Sequence, residues 1–214
     1  MPSKQLTKKG EFIGDGPVKY SIDTPMAGHS TTLTLQIDYA EVPVPKFYYL
    51  ADYFHVKSVD SSVLLVFGKW EDLEAKEKLR TKLEIYFPSI PFVTHLWGTS
   101  RDFHVTLRTA VSKFNFEPSE PSPLSIKAEK AQTITSNIVL MAMSGFDSLI
   151  DFYYLAPREL FTKATRGRPN IELEPLARVI LPPPMLLGFL NSCEGIAESL
   201  SERFLLNKKG GETQ

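Results

Sequence analysis

The sequence predicts an α+β fold: two tandem repeats of antiparallel strands followed by a helix, packed as a pseudo-two-fold pair. Three observations lead to it. Apolar and polar residues alternate over several short stretches, the period of a strand with one buried face. Two of these stretches run into a proline and then into an apolar stripe at helical spacing. The two halves also resemble each other. KSVDSSVLLVF and MSGFDSLIDFY align without gaps at an offset of 86, pairing Ser58 with Ser144, Ser62 with Ser148 and Val63 with Leu149. EIYFP and RVILP align at an offset of 94, pairing Phe87 with Leu181 and Pro88 with Pro182. The difference falls between strands, where insertions are tolerated. A unit of about 75 residues is marginal as a lone core, so two copies are expected to cover each other as the halves of a homodimer would.

Residues 1–31, with KKGEF, GDGP and TPMAGH, read as an irregular arm rich in Gly, Pro and Lys. Repeat one spans 32–116. In TLTLQIDYA, Leu33, Leu35, Ile37 and Tyr39 alternate with polar residues; VPVP then breaks the ladder, because proline donates no backbone hydrogen bond. YYLADYFHVKS resumes an extended, aromatic pattern, and the run Val63 to Phe67 suits a strand covered on both faces. A charged connection leads to a strand with Leu79, Thr81, Leu83, Ile85 and Phe87 on one face, ending at Pro88. Phe92, Leu96, Phe103, Leu107 and Val111 then recur at helical spacing, with Gly98 as an interruption.

Residues 117–132, with Pro118, Pro121 and Pro123, read as a Pro/Ser linker. Repeat two spans 133–207. SNIVLMAM, SLIDFYYL and LARVIL are its strands; the helix LLGFLNSCEGIAESLSERF follows Pro182, with Leu186, Leu190, Cys193, Ala197 and Leu200 on one stripe. Proline suits that corner because it is tolerated in the first helical turn and disfavours helix in the residue before it. Residues 208–214 read as a disordered tail.

The 214 residues are 43% hydrophobic, enough for a packed core, and carry 24 basic against 25 acidic side chains. A net charge of -1 supplies no global field for nucleic acid or anionic membrane. The longest apolar run, IVLMAM, is far short of a membrane helix, and MPSKQLTKKGEF lacks the apolar stretch of a signal peptide, so the expectation is a cytoplasmic protein with no membrane partner. One cysteine, Cys193, allows no internal disulfide and no cysteine-based zinc cluster.

The second half resembles a bacterial family catalogued as domain of unknown function 3467. The resemblance is carried by Ser136 and Asn137 before an apolar strand, by Ile150, Asp151 and Phe152, by Arg178 and Val179 leading to Pro182, and by the leucine-rich helix. It covers about a third of the chain. The first half departs from the pattern: Leu65 takes the aspartate position, and Glu84 and Ile85 the Arg-Val position. The resemblance implies a small α+β interaction domain, with two divergent tandem copies here, and no activity, since the family is uncharacterised.

No catalytic residue, metal ligand set or cofactor site is expected. His29, His55, His95 and His104 show no metal-type spacing; His95 and His104, nine apart, lie on different sides of a helix. Cys193 sits on an apolar stripe, where a small buried hydrophobe is expected rather than a nucleophile. Ser144, before Gly145, lacks the earlier glycine of a nucleophile elbow. Neither GxGxxG nor GxxxxGK[ST] is present. Asp151 in LIDFYY needs a partner for its carboxylate, and Arg178 is the cross-strand candidate.

The function expected is therefore a non-enzymatic interaction or scaffold module, whose partner is another protein or a second copy of the chain. Tyr48, Tyr49, Tyr153 and Tyr154 are its candidate contact aromatics. The alternatives are an enzyme with an unrecognised site and a DNA-associated protein. The latter would use Lys163, Arg166 and Arg168, because the run RGRP resembles a minor-groove hook, although Glu172 and Glu174 follow it and Gly and Pro equally suit a turn.

Overall fold

The computed structural model describes residues 12–14, 16–23, 32–38, 40–123, 126–144, 147–158 and 171–210. It is mixed α+β and mostly sheet, and its sheets are open rather than closed into barrels. The chain divides into two compact units, Met1–Val44 with Leu155–Glu174, and Pro45–Tyr154 with Pro175–Gln214.

The smaller unit corrects the reading of residues 1–31 as irregular. Strand β1 (Val18–Asp23) pairs antiparallel with β2 (Thr32–Ile37), placing Val18 opposite Ile37 and Tyr20 opposite Leu35. Bridges join Ile13 to Tyr20 and Val18 to Ile171, and Val18, Tyr20, Ile171 and Leu173 are buried. Val18 and Tyr20 alternate with Lys19 and Ser21, so the strand signal was present among the flanking Gly and Pro. TLTLQI, assigned above to repeat one, is β2 and belongs to this unit.

The larger unit holds two four-stranded sheets. In one, β4 (Tyr53–Val59), β5 (Ser62–Trp70) and β6 (Leu79–Pro88) are successive antiparallel neighbours, and β7 (Ala128–Thr135) lies parallel to β6. In the other, the order is β3 (Tyr48–Leu50), β10 (Glu174–Leu181), β9 (Asp147–Tyr154) and β8 (Ile138–Ser144). Strands β8 and β9 are antiparallel, and β3 runs parallel to β10. Ser148 bonds to Leu181 while Asp151 bonds to Arg178, so β9 and β10 run in opposite directions.

Alternation explains which side chains enter the core. Phe54 and Val56, then Val63, Leu65 and Phe67, then Leu83, Ile85 and Phe87 point inward from the first sheet. Val139, Ile150, Phe152, Ala177, Val179 and Leu181 do so from the second. The buried faces of β5 and β9 are out of phase at the offset of 86. Val63 is fully buried, whereas Leu149, its partner at that offset, is only half-buried and the flanking Ser148 and Ile150 face inward. A slip of one residue exchanges the two faces of a strand, and the buried faces of β5 and β9 are 85 residues apart, Leu65 and Phe67 against Ile150 and Phe152.

After Pro88, a single turn, α1 (Ser89–Pro91), passes through a π-helical segment (Phe92–Trp97) into α2 (Gly98–Lys113). Gly98 does not interrupt the helix: its φ of -57° and ψ of -39° are ordinary right-handed values. The wider π turn shifts the stripe, so that Phe92 and Leu96 are followed on the buried face by Ser100, His104, Leu107 and Val111. Helix α3 (Pro183–Gly210) buries Leu186, Phe189, Leu190, Cys193, Ala197 and Leu200, and its first turn closes on the Pro182 carbonyl.

The segment 117–132, expected to be a linker, is in part a strand and in part docked. Residues 128–132 lie in β7, and ahead of it the Ser122 N–H donates to Phe54 O (2.9 Å) and the Ser119 N–H to Pro184 O (3.0 Å). Tyr53 Oη donates to Pro123 O at 2.7 Å, so prolines that cannot donate still serve as acceptors. Gly188 permits this approach, because a Cβ there would fall 1.8 Å from Ser119 O.

Candidate interaction surface

Strand β3 forms one outer edge of the second sheet. Its pairing with β10 starts at Phe47 O, which accepts from Arg178 N–H at 2.8 Å. It ends where Ala51 N–H donates to Ile180 O, also at 2.8 Å. Since alternate residues aim their backbone groups at opposite edges, those of Tyr48 and Leu50 face away from the sheet. The side chains of Phe47, Tyr48 and Leu50 are 60%, 57% and 61% exposed. Other edges differ. The edge at β4 is covered where Ser122 bonds to Phe54, and β7 presents exposed Glu129, Lys130 and Gln132, the charged and polar dress of a protected edge.

A row of contacts holds β3 from behind. Arg178 meets Asp151 as a fork, Nε to Oδ1 and Nη2 to Oδ2 both at 2.6 Å, and its Cζ lies 5.8 Å from the Tyr48 ring centroid. Asp151 is 4% exposed and the Arg178 side chain 20%. The hydrogen bonds that Arg178 donates to Asp151 raise the Arg178 pKa, and burial raises that of Tyr153, whose hydroxyl lies 3.5 Å from Asp151 Oδ2. Ser136, of the Ser-Asn pair, is buried and donates to Tyr153 O at 2.7 Å.

The four tyrosines separate. Tyr48 is on the open edge. Tyr49 is half-buried against the core and its hydroxyl bonds to Gln132; Tyr154 is half-buried. Tyr153, at 1% exposed, is corrected from the contact set: its position in β9, an interior strand of the sheet, leaves it no access to a partner. Phe47 and Leu50 were missed, although a double proline beside an aromatic run was the available signal. Lys163, Arg166 and Arg168 lie outside the described residues.

Two other titratable side chains are packed in the interior. Cys193 is fully buried, which pushes its thiol pKa up, and His104 Nε2 lies 2.8 Å from Asn191 Oδ1. Among the described residues no three His, Cys, Asp or Glu side chains are placed to hold a metal ion, and no helix is long and apolar enough to cross a membrane.

His95, in the π segment, has its Nε2 buried without a hydrogen-bond partner; desolvation lowers its pKa, against a backbone hydrogen bond at Val139 that raises it. The unfolded chain then takes the proton first, so stability is full above the unfolded value and falls as pH drops below about 6.5, by at most about 1.4 kcal/mol per pH unit. In thermal melts from neutral to mildly acidic pH, His95→Gln is expected to lose less stability than the wild type. An unchanged acid slope would remove His95 from the account.

No protein-family model matches the chain, and no curated protein or solved structure matches it.

Proposed function

We propose that the chain is a non-enzymatic protein-interaction module, an internally duplicated α+β scaffold that offers the β3 edge to an extended segment of another polypeptide. The observation that carries this reading is the open aromatic edge: outward backbone groups at Tyr48 and Leu50 beside exposed Phe47, Tyr48 and Leu50. Main-chain pairing would supply affinity there, and the alternating side chains would supply selectivity. Pro43 and Pro45 precede the edge and have no N–H, which limits indiscriminate pairing.

The duplication is supported by topology and register. In each sheet, three consecutive strands are joined by a parallel fourth that precedes the other repeat's strands in sequence, so the repeats exchange edge strands. Phe54, Leu65 and Phe67 precede Val139, Ile150 and Phe152 by 85, and the core-facing edge residues Tyr49 and Ile134 keep that spacing. Leu83, Phe87, Phe92 and Leu96 precede Ala177, Leu181, Leu186 and Leu190 by 94. Beyond the π segment the spacing becomes 93, with Ser100, His104 and Leu107 against Cys193, Ala197 and Leu200, as one inserted residue requires. Kinship with the family of unknown function 3467 is part of the same proposal. Its support is that Ser136, Asp151 and Arg178, which carry the resemblance, lie together around Tyr153.

A photo-cross-linking residue at Leu50 is expected to capture partner polypeptide in cells, and the same residue at Lys130 on β7 is not. The adduct at position 50 should disappear in Phe47→Asp. Equal capture at both edges, or none at Leu50 in a folded protein, would reject the β3 reading.

A further inference from the structure

A second surface, independent of β3, lies where the end of α2 meets the first turns of α3. The α2 helix stops at Asn115, whose φ of 56° is left-handed, with the Phe114 and Phe116 N–H groups both closing on Val111 O. This ending turns two phenyl rings into solvent side by side, 6.2 Å between centroids and 27° between planes, 67% and 54% exposed. Beside them, two adjoining depressions of about 520 and 500 Å³ share Glu117, Pro118 and Asn191, forming one open groove with Phe116 as an exposed apolar wall and the buried Leu187 beneath it. Exposed stacked rings over a groove mark a contact surface rather than a packing need.

The charge along the groove selects the occupant. Glu117, Glu120 and Glu194 line it against a single guanidinium, Arg108, which sits 3.6 Å from Glu194 with both side chains open to water. Lys113 adds a cation in the last turn of α2, where the carbonyl end of the helix adds negative potential. Carboxylates beside open ring faces suit an ammonium or guanidinium carried on an apolar stem. We infer that this groove binds a lysine- and arginine-bearing extended segment of another protein, the aliphatic stems on Phe116 and the charged heads at Glu117, Glu120 and Glu194.

The test is fluorescence anisotropy of the full chain with a labelled peptide of alternating Lys, Arg and Ala, against one with Glu and Asp in place of the cations. The cationic peptide is expected to bind at low salt and weaken as salt rises, and the acidic one not to bind. Glu117→Gln and Glu194→Gln should each weaken binding about 2- to 5-fold, and Phe116→Ser by a similar factor. Glu74→Gln with Glu77→Gln, which removes two charges from the exposed connection before β6, should leave binding unchanged. The inference is overturned if that control weakens binding as much as the groove variants, if Phe116→Ser has no effect, or if the cationic peptide does not bind. Since β3 is untouched by these variants, failure here leaves the cross-linking result at Leu50 standing, and the reverse also holds.

Discussion

Asp151→Ala is expected to remove about 3 to 5 kcal/mol of unfolding free energy in urea denaturation. The loss comes less from the missing attraction than from the guanidinium left behind, since Arg178 keeps only a fifth of its side chain in water and both bonds of the fork run to Asp151. That residual access lets Arg178 turn outward, which favours the lower end of the range. Replacing both partners, Asp151→Leu with Arg178→Met, should recover most of the loss, because the expensive state is one charge without the other. The variant should also loosen β3. Arg178 pairs with Tyr48 in register and stacks on its ring, so exchange of the Ala51 amide, which bonds to Ile180 O, is expected to accelerate in Asp151→Ala beyond the global change. A loss below about 1 kcal/mol would show that the pair is structurally idle.

Phe67→Ala is the second large effect, expected to destabilise by about 3 to 5 kcal/mol. Phe67 is fully buried in β5, and its ring lies 5.9 Å from Phe152 in β9 and 5.1 Å from Phe189 in α3. One side chain thus touches the opposite sheet and the second helix. The cavity left by alanine would be lined by rigid strands and could not collapse freely. The whole larger unit should therefore lose stability in one shifted transition with an unchanged denaturant slope. Two separate transitions would mean that the sheets do not share a core.

Much of this core was readable beforehand. Val63, Leu65, Phe67, Leu83, Ile85 and Phe87 alternate plainly, and Leu186, Leu190, Cys193, Ala197 and Leu200 keep a helical stripe, because burial imposes a period on side chains. The Asp151 and Arg178 pairing was readable for another reason: a carboxylate in an apolar strand needs a counter-charge, and few were available. The first helix was harder. Its buried stripe contains Ser100 and His104, which satisfy themselves by bonding to Leu96 O and meeting Asn191, and so look like solvent-facing residues in the sequence. The open edge was half-legible, with Tyr48 found and Phe47 and Leu50 missed, because exposure depends on what lies beside a strand rather than on its own letters.

The sequence by itself determined the α+β class, most strand and helix segments of the larger unit and many of the residues facing its core, β7 and the polar part of the first helix's stripe excepted, since these follow from local periodicity and from proline's missing donor. Only the tertiary structure decided that β3 pairs with β10 and β7 with β6, which face of β5 and of β9 is buried, and that Tyr153 is enclosed while Tyr48 is open. The physical reason is that hydrogen bonds between strands are the same for every backbone. Partner and register are therefore chosen by long-range packing, which no short stretch of sequence contains.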